Sequence, residues 1–68
     1  MRLIIFVNGE PRALDSGMTI TALLDSLQLA GRKIAVEVNH EIVPRSRHTD
    51  FTLKPDDRVE VVTAIGGG

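Results

Sequence analysis

The spacing of apolar residues changes several times along this chain, and each spacing predicts a different element. Branched and aromatic side chains fill residues 2–7 and stop at Asn8 and Gly9, a pair that strongly indicates a β-hairpin. A second strand is therefore expected from Glu10 to Leu14.

A helical spacing follows the hairpin. Thr19 is a suitable N-cap, because its hydroxyl can accept a hydrogen bond from a backbone N–H of the first turn. The predicted helix runs from Ile20 to about Leu27. Its apolar stripe has the spacing i, i+3, i+4 and i+7 and consists of Ile20, Leu23, Leu24 and Leu27.

The second half of the chain returns to strand spacing. Ile34, Val36 and Val38 alternate with less apolar residues, which predicts a half-buried strand over residues 33–38. The elements expected after it are a short strand, a polar irregular segment, a turn around Pro55 and a last strand, over residues 41–43, 45–50, 54–57 and 58 to about 64. Phe51 and Leu53 are expected to anchor the irregular segment to the core.

This order of elements predicts an α+β fold. One main helix must cover one face of a mixed sheet of four or five strands, with the first and last strands as central neighbours because they are the most apolar. By analogy this is the β-grasp (ubiquitin-like) architecture. We expect a single domain over residues 1–64 and a flexible glycine-rich tail over residues 65–68.

Two strands carry apolar residues on both faces. Ile4 and Phe6 alternate with inward residues of the first strand, and Val62 has the corresponding place in the last. One helix covers one face only, so these residues either form a partner-docking patch or are covered by long polar side chains. Ile65, beside the glycines, favours docking, which makes Ile65, Val62, Phe6 and Ile4 the candidate docking residues.

Composition excludes several classes of function. The net charge is −1 and the aromatic residues are two phenylalanines, so neither a basic field nor a stacking platform for nucleic acid is present. The chain has no cysteine, and His40 and His48 lack zinc-ligand spacing. The apolar run at residues 2–7 is too short for a signal sequence or a membrane span, so we expect a cytoplasmic protein that does not bind membranes.

Candidate acid–base groups are few. No nucleotide-binding, metalloprotease or nucleophile-elbow motif occurs. The groups that could act as acid or base are His40, His48, Asp50, Asp56 and Asp57, which are better explained as a solvated turn histidine, a loop histidine and turn-forming aspartates. Arg45, Arg47 and His48 form a small basic cluster that is also expected to be a solvated loop. The chain is therefore expected not to be an enzyme, and to bind no cofactor or metal.

The remaining candidate is the end of the chain, Ile65-Gly66-Gly67-Gly68. Three glycines carry no side chains, and the four residues extended span roughly 13–14 Å, enough to enter a narrow channel. The carboxylate of Gly68 is ionised at neutral pH and is a poor electrophile. It would have to be activated by a partner with a nucleotide site.

The whole chain resembles the ThiS-type sulfur carriers of the ubiquitin-like β-grasp superfamily. The resemblance lies in the opening strand with Asn8-Gly9, in Thr19-Ile20 with Leu23-Leu24, in Ile34 through Asn39, in Glu41-Ile42-Val43-Pro44-Arg45, in Asp56 through Val62, and in the Gly-Gly end. The most specific part is Asn39 through Arg45 together with that end.

The resemblance implies a function. A ThiF-like, E1-type enzyme would adenylate Gly68 with ATP and magnesium, while Gly67 and Gly66 thread the tail into its active site. Sulfur, drawn from cysteine through a cysteine desulfurase, would replace the adenylate to give a thiocarboxylate. A ThiG-like thiazole synthase would use that sulfur for the thiazole of thiamine. Gly66 is a departure, because two glycines satisfy the family pattern.

Three alternatives stay open. A related carrier, such as a MoaD-like subunit for molybdopterin synthesis or a carrier for another sulfur metabolite, shares the Gly-Gly end, although MoaD-like chains are usually longer and richer in aromatics. A ubiquitin-like modifier that forms isopeptide bonds shares it too. A binding module with an inert tail is the third class.

Overall fold

A computed structural model of the chain describes residues 1–63. Its elements, in chain order, are β1 (Arg2–Val7), β2 (Glu10–Asp15), α1 (Ile20–Ser26), β3 (Ile34–Val38), β4 (Glu41–Val43), a 3₁₀ helix (Arg45–Arg47) and β5 (Arg58–Thr63). The predicted elements are confirmed to within a residue or so at their described ends. The predicted boundary between domain and tail, at residues 64 and 65, lies outside the described residues.

The strands form one mixed sheet in the order β2-β1-β5-β3-β4. β1 and β5 are parallel neighbours, whereas the pairs β1–β2, β3–β4 and β3–β5 are antiparallel. The prediction that the first and last strands are central neighbours is confirmed, and β5 is the middle strand. A chain with this sheet and one helix has the β-grasp fold.

Sequence chemistry explains the hairpin between β1 and β2. Asn8 and Gly9 have φ angles of 50° and 87°. Positive φ at both central residues is the geometry of a type I′ turn, which matches the twist of the two strands and suits asparagine followed by glycine.

The core lies between α1 and one face of the sheet. The helix buries Ile20, Leu23 and Leu24 as its stripe predicted, while Leu27 is partly buried at the helix end. The sheet and the loops supply the other buried apolar residues, which are Ile5, Val7, Leu14, Val36, Val38, Val43, Leu53 and Val59. Within residues 1–63 no helix has the length and apolar character needed to cross a membrane.

The segment between β4 and β5 is more ordered than its polar sequence suggested. The carbonyl oxygens of Phe51 and His48 accept hydrogen bonds from the backbone N–H groups of Ile20 and Thr21, each at 3.1 Å. The Thr19 hydroxyl accepts from Ala22 N at 3.2 Å, as the N-cap prediction required. The segment therefore satisfies the N–H groups that the first turn of a helix leaves without an intrahelical partner.

The prediction that His48 is a solvated loop residue is wrong. His48 is only 5% exposed. Its ring Nε2 lies 2.9 Å from the carbonyl oxygen of Val43 and donates a hydrogen bond to it. The reason is the helix contact just described, because the loop must lie against α1 and so places His48 inside. Leu53, 2% exposed, and the partly buried Phe51 confirm the predicted anchor.

Candidate functional site

The candidate site is the end of β5, the strand that leads into the glycine tail. Val62 and Thr63 pair with Ala35 and Ile34 of β3, and Thr63 is the last described residue. Four of the predicted site residues, Ile65, Gly66, Gly67 and Gly68, lie outside the described residues. The structure therefore describes the strand that precedes the tail in the sequence, which is the middle strand of the sheet.

An asparagine side chain holds β5 close to its end. The Oδ1 atom of Asn8 accepts a hydrogen bond from Val61 N at 2.8 Å, and its Nδ2 donates to Val61 O at 3.3 Å. The backbone N–H of Asn8 also donates to Val59 O at 2.8 Å. The side-chain amide thus continues the pairing between β1 and β5 after the main chain of β1 has turned away.

A second asparagine holds the start of β5. Asn39 has a φ of 52°; its Oδ1 accepts from Arg58 N and its Nδ2 donates to Asp57 Oδ1, both at 3.0 Å. Asp57 Oδ2 accepts in turn from Lys54 N at 2.8 Å, which closes the turn around Pro55. Asp57, 8% exposed, is therefore a structural group, and the prediction that it forms the turn around Pro55 is confirmed.

The described docking candidates share the sheet face that points away from α1, but they do not form one continuous patch. Ile4 is 45% exposed and Val62 59%, whereas Phe6 is half-buried. Phe6 pairs with Arg58, so Ile4 and Val62 lie six residues apart along the strand direction, which is about 20 Å.

Charged side chains lie between the two apolar areas. The guanidinium of Arg58 is 5.4 Å from the centre of the Phe6 ring, a cation–π contact, and Glu60 follows Arg58 on the same face. Both explanations left open by the sequence therefore apply in part. Arg58 covers Phe6, whereas Ile4 and Val62 remain exposed.

One exposed apolar residue on this face is not among the predicted docking residues. Ile42 of β4 is 73% exposed and pairs with Glu37 of β3. Its outward position follows from the alternation with buried Val43, so the signal was present in the three residues of β4. The side-chain roles of Asn8 and Asn39 were also missed, since their sequence signal indicates only turns.

The other polar groups do not assemble a reactive centre in the part of the chain that the structure describes. His40, Asp50 and Asp56 are exposed, and His40 and Asp56 occupy turn positions with φ angles of 71° and 67°. No group of three or more His, Asp or Glu side chains within residues 1–63 could hold a metal ion. Arg45 of the basic cluster donates from Nη2 to the carbonyl oxygen of Arg32 at 3.1 Å, a structural contact.

Comparison with known proteins gives a consistent result. The model of the ThiS family matches residues 5–68. The chain is 46% identical over its full 68 residues to the thiazole synthase of Paramagnetospirillum magneticum, of which it covers 20%. It is 41% identical over 54 residues to the sulfur carrier protein ThiS of Bacillus subtilis, which is 79% of this chain and 80% of that protein.

A solved structure agrees in fold. The crystal structure of the thiamine biosynthesis protein ThiS from Geobacter metallireducens superposes with a TM-score of 0.82 at 33% identity, covering 97% of this chain and all of the other. The chain spans about a fifth of the length of the two thiazole synthases that it matches.

Proposed function

Because the chain belongs to the ThiS family of ubiquitin-like sulfur carriers, we propose that Gly68 is adenylated by a ThiF-like enzyme and then converted to a thiocarboxylate. The observation that carries the proposal is the family match, which runs through the glycine tail to Gly68. The fold supports it, since the tail follows the central strand directly.

The proposed chemistry needs a partner at each step. A carboxylate oxygen of Gly68 attacks the α-phosphorus of ATP, pyrophosphate leaves, and an acyl-adenylate forms on the partner, which binds the ATP and magnesium. Hydrosulfide then attacks the acyl carbon; the C–S bond forms, the C–O bond to AMP breaks, and a proton is released. Gly66 and Gly67 serve as the arm without side chains that brings this carbon into the partner's active site. The proposal requires that the activated chain end at Gly68.

The proposed destination of the sulfur is the thiazole of thiamine. Thiazole synthases from two organisms contain a segment similar to this chain, and the ThiS of Geobacter metallireducens is described as a thiamine biosynthesis protein. We therefore propose a ThiG-like thiazole synthase as the acceptor and a cysteine desulfurase as the distant sulfur source. A MoaD-like role is the competing destination.

We further propose that the end of β5 docks on the ThiF-like enzyme. Val62 is exposed and lies on the strand that continues into the tail, so a partner that holds the tail must come close to it. Ile65 belongs to the proposed contact by sequence position. Phe6 and Ile4 lie farther along the face, beyond Arg58, and are expected to contribute less.

The experiment is chain-dependent exchange of pyrophosphate into ATP, catalysed by the ThiF-like enzyme with magnesium. We expect exchange with the 68-residue chain, and none with a matched control that has one alanine added after Gly68, because a methyl group would then stand beside the reacting carbon. No exchange with the unmodified chain, by an enzyme that activates another ThiS-family carrier, would overturn the proposal.

A second experiment separates the destinations of the sulfur. Thiocarboxylated chain is mixed with thiazole synthase and its substrates, or with the large subunit of molybdopterin synthase and its substrate. We expect the thiocarboxylate to return to a carboxylate only with thiazole synthase. Loss of sulfur only with the molybdopterin enzyme would contradict the thiamine role while leaving adenylation intact.

A further inference from the structure

The hydrogen bonds between Asn8 and Val61 do more than close a turn. Val61 N and Val61 O both point toward β1, and the side-chain amide of Asn8 offers one acceptor and one donor to match them. Because β1 and β5 are parallel, a longer β1 would make these two bonds through two different residues, one accepting from Val61 N and the other donating to Val61 O. The amide therefore replaces a short section of β-ladder at a point where β1 has already ended at Val7.

The Asn8–Val61 hydrogen bonds lie near the end of β5, close to the point where the strand precedes the glycine tail. β1 pairs with β5 at Phe6 and Val7 only, and the Asn8 amide adds Val61 to the part of β5 that is held from this side. Val62 and Thr63, the next two residues, pair with β3 on the other side. Within residues 1–63, Asn8 thus makes the last described hydrogen bonds from β1 and its turn to β5.

Position 8 requires a residue that adopts a positive φ and also carries a hydrogen-bond donor and acceptor. The turn requires a φ of 50°, which asparagine and glycine adopt readily. Of these two only asparagine also carries a donor and an acceptor. Aspartate would keep the acceptor for Val61 N–H but lose the donor for Val61 O, and glycine would keep the turn and lose both bonds.

From this geometry we propose that Asn8 is a positioning residue for the transfer reaction, because its amide fixes the direction in which β5 delivers the tail to the activating enzyme. This role rests on the function proposed above. It acts through β5 and not by contact with the reacting atoms. A looser strand end would leave docking of the domain intact but reduce the fraction of bound chains whose terminal carbon is aligned.

The test compares Asn8→Gly with Asn39→Gly. Both residues have positive φ, both hold β5 through a side-chain amide, and glycine suits both turns. For Asn8→Gly we expect kcat for thiocarboxylate formation, with ThiF-like enzyme, ATP and hydrosulfide, to fall about tenfold, which corresponds to ~1.4 kcal/mol. KM for the carrier should stay within about twofold, since Val62 is not replaced and keeps its pairing with β3.

The control variant Asn39→Gly distinguishes an effect on the position of the tail from a general loss of stability. Asn39→Gly weakens the start of β5 and is expected to lower stability but to leave kcat nearly unchanged, when measured well below the unfolding temperature of both variants. Asn8→Asp, which keeps one of the two bonds, should have an intermediate kcat. An equal fall of kcat in Asn39→Gly, or no fall in a folded Asn8→Gly, would overturn the proposal.

Amide hydrogen exchange provides a readout that does not depend on the partner enzyme. In Asn8→Gly the N–H of Val61 should exchange about fivefold faster or more, as expected for the loss of one hydrogen bond, while that of Glu60, which faces β3, changes little. An unchanged Val61 rate would also overturn the proposal. If the unmodified chain is never adenylated, the proposed function fails, and the positioning role of Asn8 fails with it. Faster exchange at Val61 N–H would then identify the Asn8–Val61 hydrogen bonds as purely structural.

Discussion

The two ends of β5 are held by the same kind of residue in different surroundings. At the start, Asn39 bonds to Arg58 N and to the buried carboxylate of Asp57, which itself closes the preceding turn. At the other end, the described hydrogen bonds of the Asn8 side chain go to the backbone of Val61, and the following Val62 is exposed. The start is part of a hydrogen-bond network around one buried carboxylate that stabilises the fold, whereas the end is held for position.

The largest expected effect lies beyond the end of β5. Deleting Gly67 and Gly68 should abolish adenylation, because the reacting carboxylate would no longer reach the partner's active site. The unfolding temperature should change by less than about 4 °C if these residues pack against nothing. Chain-dependent pyrophosphate exchange and thermal unfolding followed by circular dichroism measure the two quantities. A deletion variant that is still adenylated would contradict the role of Gly68. A deletion that strongly destabilises the domain would contradict the prediction that these two residues do not stabilise the fold.

At the start of β5, Asn39→Asp is expected to be destabilising and pH-dependent. The variant replaces a donor with a carboxylate next to Asp57, so we expect a loss of about 2 kcal/mol at neutral pH. Repulsion raises the pKa of the introduced carboxyl in the folded state above its unfolded value near 3.9. The penalty is therefore complete above the folded pKa and disappears as the pH falls toward about 4.

Urea denaturation at several pH values measures this loss. Asn8→Asp is the matched variant at the other end of the strand. The described hydrogen bonds of the Asn8 side chain go to backbone groups of Val61, so the loss of stability should be smaller and should depend less on pH. Equal pH dependence in both variants would contradict the assignment of a charged network to the start alone.

Alanine substitutions at two valines of β5 test the difference between the two ends of the strand without introducing a charge. Val59 is 1% exposed, so Val59→Ala should cost about 2 kcal/mol of unfolding free energy through lost burial and a residual cavity. Val62→Ala removes the same atoms from a residue that is 59% exposed, and should cost less than about 0.5 kcal/mol. Urea denaturation of the two variants measures their unfolding free energies. Similar losses of free energy in both variants would show that Val62 is buried in solution.

The smallest effect concerns docking. Val62→Glu is expected to raise the KM of the ThiF-like enzyme for the chain about tenfold, since a charge would enter the centre of the proposed contact. Ile42→Glu is the control, because Ile42 is more exposed and lies on the same face but on the edge strand β4. We expect its KM to change by less than about twofold. A larger effect at Ile42 would move the docking surface toward β4.

Local features of the fold could be predicted because their signals lie within a few neighbouring residues. The alternation in β1 and β3, the stripe of α1, the cap at Thr19 and the turn at Asn8 each depend on short stretches, and the structure has them at the predicted places. That β1 and β5 are neighbours was predicted from their apolar content and by analogy with the β-grasp architecture.

What failed depends on contacts between distant residues. The pairing of Asn8 with Val61 joins residues 53 apart, and the burial of His48 follows from the docking of its loop on α1. The separation of Ile4 from Val62 is a matter of register between β1 and β5, which period-two alternation does not specify. The tail residues stay a prediction, because they lie outside the described part of the chain.

Mass spectrometry of the 68-residue chain, after incubation with the ThiF-like enzyme, ATP, magnesium and hydrosulfide, shows directly whether Gly68 becomes a thiocarboxylate. We predict an increase equal to the mass of one sulfur minus one oxygen, and fragment ions that place it on Gly68. An unchanged mass with an enzyme that is active on another carrier of the family, or a sulfur located anywhere else in the chain, would contradict the account.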